Sequence, residues 1–239
     1  MRYLALAADY DGTLAHDGKV DEATVAALRR FRASGRRLIM VTGRIMAQLE
    51  ATFDHLDLFD RIVAENGALI HDPATQEEKL LTAAPKPEFV ESLKKQGVSP
   101  IETGRIIVAT WEPHEKTVLK TIHDMALEMQ IIFNKGAVMV LPSGVNKATG
   151  LKAALKILGL TPGACVGVGD AENDHAMLTL CAVGVAVSNA LPALKERADL
   201  VTAGDHGAGV AELIARLLAD DLAGVAPKTR QTAVLTGGR

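Results

Sequence analysis

Short apolar runs alternate with amphipathic helical segments near both ends of the chain, and this alternation constrains the fold more than any other feature. Residues 3–8 and 37–42 are apolar runs typical of strands that are buried on both faces. Between them, residues 22–34 carry apolar side chains at helical spacing, and Asp21 is placed to cap that helix. Such alternation predicts an α/β fold, a parallel sheet covered by helices on both faces.

The same pattern returns in the second half of the chain. A helix is predicted over about 148–158, strands over 165–168 and 183–187, and a last helix over 210–218. The final residues show no clear periodicity. We therefore predict a core domain from residues 1–83 and 145–219, followed by a C-terminal tail over 220–239.

The middle of the chain has a different pattern. A helix over 88–96 and a strand over 105–111 precede a second helix, and two apolar runs then flank Lys135-Gly136, which predicts a β-hairpin. We predict a small α+β domain over residues 84–144, inserted between the two parts of the core. The buried face of its second helix is predicted to contain Val118, Ile122, Met125 and Met129.

Composition excludes several classes of protein. The 239 residues carry a net charge of -3, with scattered basic residues and only one Trp and two Tyr, so neither nucleic acid nor an anionic membrane is an expected partner. No apolar run approaches the length of a membrane span. The two cysteines form no CxxC pair, and we predict a reducing, cytoplasmic location.

Polar residues follow the predicted strands at the points where the strands end. In open α/β sheets, ligands bind outside the carboxyl ends of the strands, so these residues are expected to converge. Each cluster by itself is typical of a turn, a helix cap or a solvated side chain. Their joint occurrence in this order predicts one site. The residues are Asp9, Asp11, Thr42, Gly43, Arg44, Lys147, Asp170, Asn173 and Asp174.

Four segments resemble the motifs of the haloacid dehalogenase superfamily: DYDGTL (9–14), VTGR (41–44), Lys147 within PSGVNKATGL, and GDAEND (169–174). An insert between the second and third motifs resembles the type II cap class, subclass IIB. ENGA (65–68) and VGVAVSNA (183–190) resemble the Cof-like sugar phosphatase group. The resemblance implies a Rossmannoid core with a small α+β cap domain.

The resemblance also implies a mechanism. Asp9 would attack phosphorus and form an aspartyl-phosphate, and Asp11 would protonate the leaving oxygen and then activate water. Mg²⁺ would be held by Asp9, the backbone carbonyl of Asp11 and Asp170, because it prefers hard oxygen ligands. Dehalogenation expels a halide and needs no such proton donor. Asp11 therefore favours a phosphatase.

The remaining roles follow from the same resemblance. Lys147, Thr42, Gly43 and Asn173 would bind the phosphate. Asn173 and Asp174 would support the metal and the lysine, and Arg44 would be a further supporting residue. Gly12 would permit close approach of the backbone. The ring of Tyr10 is expected to point away from the phosphate. The candidates for substrate specificity in the cap are Arg105, His114 and Lys116.

These residues predict a Mg²⁺-dependent phosphatase for a small metabolite, such as a sugar phosphate or a phosphoglycolate-like compound. Two alternatives stay open. A phosphomutase would use the same core, although mutases of this superfamily more often carry a cap between the first two motifs, which are only about 25 residues apart here. A non-catalytic phosphometabolite-binding module is expected to have lost a catalytic carboxylate or the lysine, and all are present.

Overall fold

In the computed structural model, which describes residues 1–228, the chain forms two β-sheets with helices packed against them. The strands are β1 (Ala5–Ala8), β2 (Arg37–Val41), β3 (Arg61–Ala64), β4 (Leu69–Asp72), β5 (Glu77–Leu80), β6 (Glu102–Thr103), β7 (Val108–Trp111), β8 (Met129–Asn134), β9 (Ala137–Pro142), β10 (Cys165–Gly169), β11 (Val183–Ala186) and β12 (Leu200–Val201). The helices are α1 (Glu22–Ala33), α2 (Met46–Glu50), α3 (Pro87–Lys95), α4 (Glu115–Asp124), α5 (Lys147–Ile157), α6 (His175–Leu180), α7 (Pro192–Arg197) and α8 (His206–Asp220).

The large sheet has the strand order β12-β11-β10-β1-β2-β3-β4-β5. The first six strands of this order pair in parallel, whereas β4 and β5 are antiparallel additions at one edge. The predicted α/β fold is confirmed, but the sheet is mixed rather than wholly parallel. The edge strand β5 was not expected because its residues, EEKL, are all exposed and carry no buried face that a sequence pattern can reveal.

Strand β1 lies at the centre of this sheet, and all four of its residues are buried. It pairs in parallel with β2 on one side and with β10 on the other. Helix α1 packs against α8, and α5 packs against α6. The predicted N-cap of α1 is confirmed, because the Asp21 carboxylate accepts a 2.6 Å hydrogen bond from the Thr24 amide. The carboxyl ends of β1, β2 and β10 are therefore neighbours.

The small sheet has the order β6-β7-β9-β8 and is wholly antiparallel. Helices α3 and α4 share a separate hydrophobic core with it, formed by buried residues such as Phe89, Val118 and Val140. The predicted hairpin is confirmed by the pairing of β8 with β9. All of these elements fall inside the predicted insert at 84–144, although its bounds stay a prediction.

One helix prediction was wrong in extent. Helix α4 ends at Asp124, so Met125 follows the helix and Met129 begins β8. The backbone of Ala126 has φ 48°, a left-handed conformation that a continuing helix does not contain. Both methionines still pack against the hydrophobic core of the small sheet. The helical spacing therefore selected residues that share a core but belong to different elements.

The end of the chain is described as far as residue 228. Helix α8 runs to Asp220, and the carboxylate of Asp221 forms a 2.6 Å ion pair with Arg36. Residues 229–239 of the predicted tail lie outside the described residues. Over residues 1–228, none of the helices is long and apolar enough to cross a membrane.

Candidate active site

Three buried carboxylates meet at the carboxyl ends of the central strands. Asp9 follows β1 and Asp170 follows its neighbour β10, while Asp174 lies four residues further along the chain. One carboxylate oxygen from each lies within 4.8 Å of the others. The hydroxyl of Thr13 joins two of them, with Oγ1 at 3.0 Å from Asp170 and 3.3 Å from Asp9. Such a concentration of negative charge in a buried place requires cations.

Lys147 supplies one of these cations. It is the first residue of α5 and is 1% exposed, and its Nζ lies 2.6 Å from Asp9 Oδ1 and 2.7 Å from Asp174 Oδ1. Burial lowers the pKa of Lys147, but the charges of Asp174 and Asp9 outweigh burial, so its pKa lies above the ordinary value. Lys147 is therefore a permanent positive charge beside Asp9.

At Asp9, burial and the neighbouring carboxylates disfavour the ionised form. Burial raises its pKa most strongly, and the charges of Asp174 and Asp170 raise it further, while Lys147 acts against them. The net pKa lies well above the usual range of an aspartate. The site therefore favours a further cation, which would keep the Asp9 carboxylate ionised.

The residues fit a divalent metal ion. Both oxygens of Asp174 are used, one by Lys147 and the other by the amides of Asp170 and Ala171 at 2.9 and 3.0 Å. Asp9 Oδ2 is contacted by the Thr13 hydroxyl at 3.3 Å and Asp170 Oδ2 by the half-exposed Lys135, and both contacts are easier to replace than the buried bonds of Asp174. Asp9 and Asp170 are therefore the carboxylates better placed to bind a metal, and hard cations prefer such oxygens. A Cβ on Gly12 would lie 2.3 Å from Asp170 Oδ2, so glycine is required there. The buried cluster suits a metal ion.

Asp11 lies at the mouth of the same site and is bound by Arg44. Two guanidinium nitrogens of Arg44 each lie 2.7 Å from one carboxylate oxygen of Asp11, and this hydrogen bonding raises the pKa of Arg44. The Arg44 guanidinium also lies 4.9 Å from the centre of the Tyr10 ring. Tyr10 is buried and donates its hydroxyl to the Gly18 carbonyl at 3.0 Å, so its ring does not line the site.

The predicted phosphate-binding residues lie around Asp9 in different ways. Thr42 is fully buried, and its hydroxyl accepts a 3.1 Å hydrogen bond from the Arg44 amide. Gly43 lines the cavity described below. The side-chain amide of Asn173 donates to Asn66 Oδ1 at 3.1 Å. Within residues 1–228, this pair leaves Asn66 Nδ2 and Asn173 Oδ1 without a hydrogen-bond partner.

A cavity of about 620 Å³ lies beside Asp9 and Asp11 and is lined by residues of both the core and the cap. Lys135, at the tip of the β8–β9 hairpin, contacts Asp170 Oδ2 with its Nζ. Both domains contribute to the wall. The lining residues are Asp9, Asp11, Gly43, Arg44, Gln48, Ala51, Thr52, Pro100, Glu102, Ala109, Thr110, Trp111, Asn134, Lys135, Ala137 and Met139.

The three cap residues predicted to contact substrate do not line this cavity. Arg105 lies 3.2 Å from Glu78 of the edge strand β5, and the ring of His114 contacts the Ser99 carbonyl at 3.1 Å. Lys116 is exposed on α4. The structure instead directs Lys135 into the site. Sequence position cannot show this, because the pairing of the hairpin decides which cap residue reaches the core.

Comparison with known proteins identifies the family. The family model of haloacid dehalogenase-like hydrolases matches residues 6–105 and 105–214. The chain belongs to this family. A phosphoglycolate phosphatase from Methanothermobacter thermautotrophicus is 32% identical over 223 residues, which is 90% of this chain and 98% of that protein. A phosphoglycolate phosphatase from Haloarcula marismortui is 33% identical over 88% of this chain and 95% of its own length.

Solved structures share the fold of this family member. A sugar phosphatase of subclass IIB has a TM-score of 0.75 and 24% identity, and the match covers 89% of this chain and 98% of that one. A protein from Thermoplasma acidophilum has a TM-score of 0.78 and 17% identity over 91% and 99% of the two chains. The resemblance to the haloacid dehalogenase superfamily, which the four motifs indicated, is confirmed by the family model.

Two polar side chains that support the site were not predicted as site residues. The buried Glu65 carboxylate accepts hydrogen bonds from the amides of Arg105, Ile106 and Ile107 at 2.7 to 2.9 Å. A Cβ on Gly104 would lie 2.4 Å from Glu65 Oε1. Glu65 thus joins the end of β3 to the cap. The ENGA segment, noted above only as a resemblance, contained this signal.

The second unpredicted residue is Asn189, from the VGVAVSNA segment. Its Nδ2 donates to the Gly12 carbonyl at 2.8 Å, and its Oδ1 accepts from the His206 amide at 2.8 Å. These bonds hold the turn that follows Asp9 against the loop before α8. Asn189 therefore stabilises the conformation of the loop that contains the predicted nucleophile.

Proposed function

We propose that the protein hydrolyses a short phosphorylated carboxylic acid, with 2-phosphoglycolate as the leading candidate, by phosphoryl transfer to Asp9. The protein is a phosphatase that acts on a small phosphorylated substrate, as its family and its relatives indicate. The observation that carries the proposal is the buried ion pair of Lys147 with Asp9, placed beside Asp170. Two relatives named phosphoglycolate phosphatases support the choice of substrate.

The nucleophile must be ionised and must meet an anionic phosphoryl group. Lys147 supports both requirements, because its charge stabilises the Asp9 carboxylate at 2.6 Å and a phosphate oxygen that approaches it. Asp174 positions the lysine. Mg²⁺ would be held by Asp9, Asp170 and the Asp11 backbone carbonyl, and it would supply the charge that offsets the repulsion between the two anions.

Asp11 is proposed as the acid and base. Its carboxyl group would protonate the leaving oxygen and then accept a proton from the water that hydrolyses the aspartyl-phosphate. The bidentate contact with Arg44 holds this side chain at the cavity wall. Thr42, Gly43 and Asn173 are proposed to bind phosphate oxygens.

The cavity supports a small substrate. A volume of about 620 Å³ lies within the range typical of small-molecule sites. Residues of the cap form part of the cavity wall and so reduce the contact of the reacting groups with bulk water, which strengthens their electrostatic interactions. This volume admits a sugar phosphate as well as phosphoglycolate. Our choice of phosphoglycolate therefore depends on the names of the two relatives and on the charge of its carboxylate, not on its size.

The test is release of inorganic phosphate from 2-phosphoglycolate, glucose 6-phosphate and p-nitrophenyl phosphate, with Mg²⁺ and with a chelator. We expect release that requires Mg²⁺ and that falls on the order of 10³-fold or more in Asp9→Asn. Asp17→Asn, at an exposed position of the following loop, is the matched control and is expected to keep full activity.

Three outcomes would contradict the proposal. Undiminished turnover in Asp9→Asn would exclude that nucleophile. Isomerised glucose phosphate without free phosphate would indicate the phosphomutase. Binding of phosphoglycolate without turnover of any ester, with Mg²⁺ present, would indicate a binding module.

A further inference from the structure

The cap contributes one cation to the catalytic cavity, at the tip of its hairpin. β8 and β9 pair as far as Asn134 and Ala137, so Lys135 and Gly136 form a two-residue turn. Their φ angles of 46° and 87° are those that such tight turns require. The Lys135 amide also lies 3.4 Å from Glu172 Oε2 of the core. The position of Lys135 is therefore set by the backbone pairing of the hairpin.

The ammonium group of Lys135 lies close to the nucleophile. It contacts Asp170 Oδ2, and carboxylate oxygens of Asp170 and Asp9 lie within 4.8 Å of each other. A phosphoryl group that reaches Asp9 would therefore have Lys135 beside it, on the side of the cap. A substrate group that pairs with this ammonium must lie within a few bonds of the phosphate ester.

The other charged groups around the cavity already have partners. Arg44 is bound by both oxygens of Asp11, and Lys147 is bound by Asp9 and Asp174 behind the cavity wall. Glu102 accepts a hydrogen bond from Gln48 at 2.8 Å. Lys135 also lines the cavity, but its ion pair is with Asp170, a residue proposed to bind metal.

Two cations would then compete for Asp170. A metal ion on this carboxylate repels the ammonium of Lys135, which leaves a charged and half-exposed donor at the cap wall. A sugar hydroxyl would not neutralise that charge, whereas a carboxylate would form a charge-assisted hydrogen bond with it. The proximity to Asp9 also favours a carboxylate separated from the ester oxygen by one carbon, as in phosphoglycolate.

We propose that Lys135 is the specificity residue that binds the carboxylate of the substrate. This inference rests on the proposed phosphatase function and adds to it a residue that distinguishes phosphorylated acids from neutral phosphate esters. Lys135 does not act on the phosphorus atom, so its contribution is expected in substrate binding rather than in the chemical step.

The experiment compares Lys135→Met with Lys94→Met, an exposed lysine on α3 of the same cap. The two substrates are 2-phosphoglycolate and ethyl phosphate, which has the same length but no carboxylate. Lys135→Met is expected to lower kcat/KM for phosphoglycolate by roughly 10- to 100-fold, mainly through KM, and to change ethyl phosphate turnover by less than about 3-fold. Lys94→Met is expected to leave both substrates unchanged.

A second measurement is independent of turnover. Calorimetric titration with Mg²⁺ alone is expected to show tighter binding to Lys135→Met than to the wild type, because the competing ammonium is gone. Lys94→Met should bind Mg²⁺ as the wild type does. Unchanged Mg²⁺ affinity in Lys135→Met would contradict the competition between the two cations.

The kinetic outcomes separate the two proposals. An equal loss on both esters would show that Lys135 contacts the phosphoryl group or only shapes the site, and it would overturn the inference. Unchanged turnover of phosphoglycolate in Lys135→Met would also overturn it. If the wild type released phosphate from neither ester, nor from glucose 6-phosphate or p-nitrophenyl phosphate, the phosphatase function itself would be refuted instead.

Discussion

On the core side of the site, Lys147 joins Asp9 and Asp174 in a buried network, whereas the cap reaches the site through the turn of one hairpin. Lys147 on the core side is 1% exposed and bridges two carboxylates. Lys135 on the cap side has a side chain that is 47% exposed and contacts one carboxylate. Both are lysines beside the same acidic cluster, but their surroundings give them different tasks.

This difference separates chemistry from recognition. A buried ion pair cannot rearrange without leaving a buried charge unpaired, which costs several kcal/mol. The buried core groups therefore stay in one geometry. A half-exposed lysine can exchange its partner for water or for a ligand at little cost. The core is therefore suited to the phosphoryl-transfer step, which is the same for every ester. The cap is suited to binding the part of the substrate that differs between esters.

The largest effect is expected from Lys147→Met. Loss of the cation leaves Asp9 and Asp174 unpaired in a buried place, so we expect kcat to fall roughly 10²- to 10³-fold on every ester and the free energy of unfolding to fall by about 3 kcal/mol. Phosphate release and urea unfolding measure the two effects. Lys152→Met, exposed on the same helix, is the control. A fall in kcat on one ester alone would show that Lys147 also discriminates between substrates. The division of roles between the core lysine and the cap lysine would then be wrong.

A smaller effect is expected at the joint between the walls. Glu65→Gln keeps the shape of the side chain but loses the carboxylate that accepts hydrogen bonds from three cap amides. We therefore expect about 2 kcal/mol of destabilisation and a roughly tenfold lower kcat/KM on all esters alike. Faster hydrogen exchange at Arg105, Ile106 and Ile107 should accompany it. Glu77→Gln, exposed on β5, serves as the comparison. Unchanged exchange at these amides would show that Glu65 does not hold the cap.

The core network also predicts a pH dependence of stability in the metal-free protein. Burial and Asp174 raise the pKa of Asp9 above its unfolded value of about 3.9. The resulting stabilisation is complete below the unfolded pKa and is lost as the pH rises through the raised folded pKa. Asp9→Asn has no such loss and should be more stable than the wild type at pH 8, by about 1 kcal/mol or roughly 2–4 °C in Tm.

Thermal unfolding with a chelator from pH 4 to pH 8 measures this difference. The advantage of Asp9→Asn should shrink toward pH 4, where the wild-type carboxyl is protonated, and Asp17→Asn should show no such trend. A constant difference at all pH values would mean that the ionisation of Asp9 is not its source.

The smallest effect is expected from Arg105→Ala. Its largely exposed guanidinium contacts Glu78 rather than the cavity, so we expect a change of less than about 0.5 kcal/mol in stability and of less than about 2-fold in KM for phosphoglycolate. Steady-state kinetics beside Lys135→Met measures the contrast. A larger rise in KM for Arg105→Ala would restore the specificity role predicted from the sequence.

Most elements of the core could be predicted because their signals are local. Strands β1, β2 and β10 are apolar runs that are buried on both faces, and Asp9 and Asp170 follow directly at their ends. Strand β5 could not be predicted, since it is exposed and is held by pairing with β4. Met129 was placed on a helix because its spacing fits one, whereas a left-handed backbone at Ala126 ends that element.

The sequence by itself determined the family, the acidic cluster and the lysine, because parallel strands place their carboxyl ends at one edge and each motif follows a strand or begins a helix. The tertiary structure decided which cap residue meets them. Arg105, His114 and Lys116 have the right chemistry, but the pairing of β8 with β9 and the three amides bound by Glu65 bring Lys135 to Asp170 instead. That choice depends on contacts between distant segments, which no local pattern encodes.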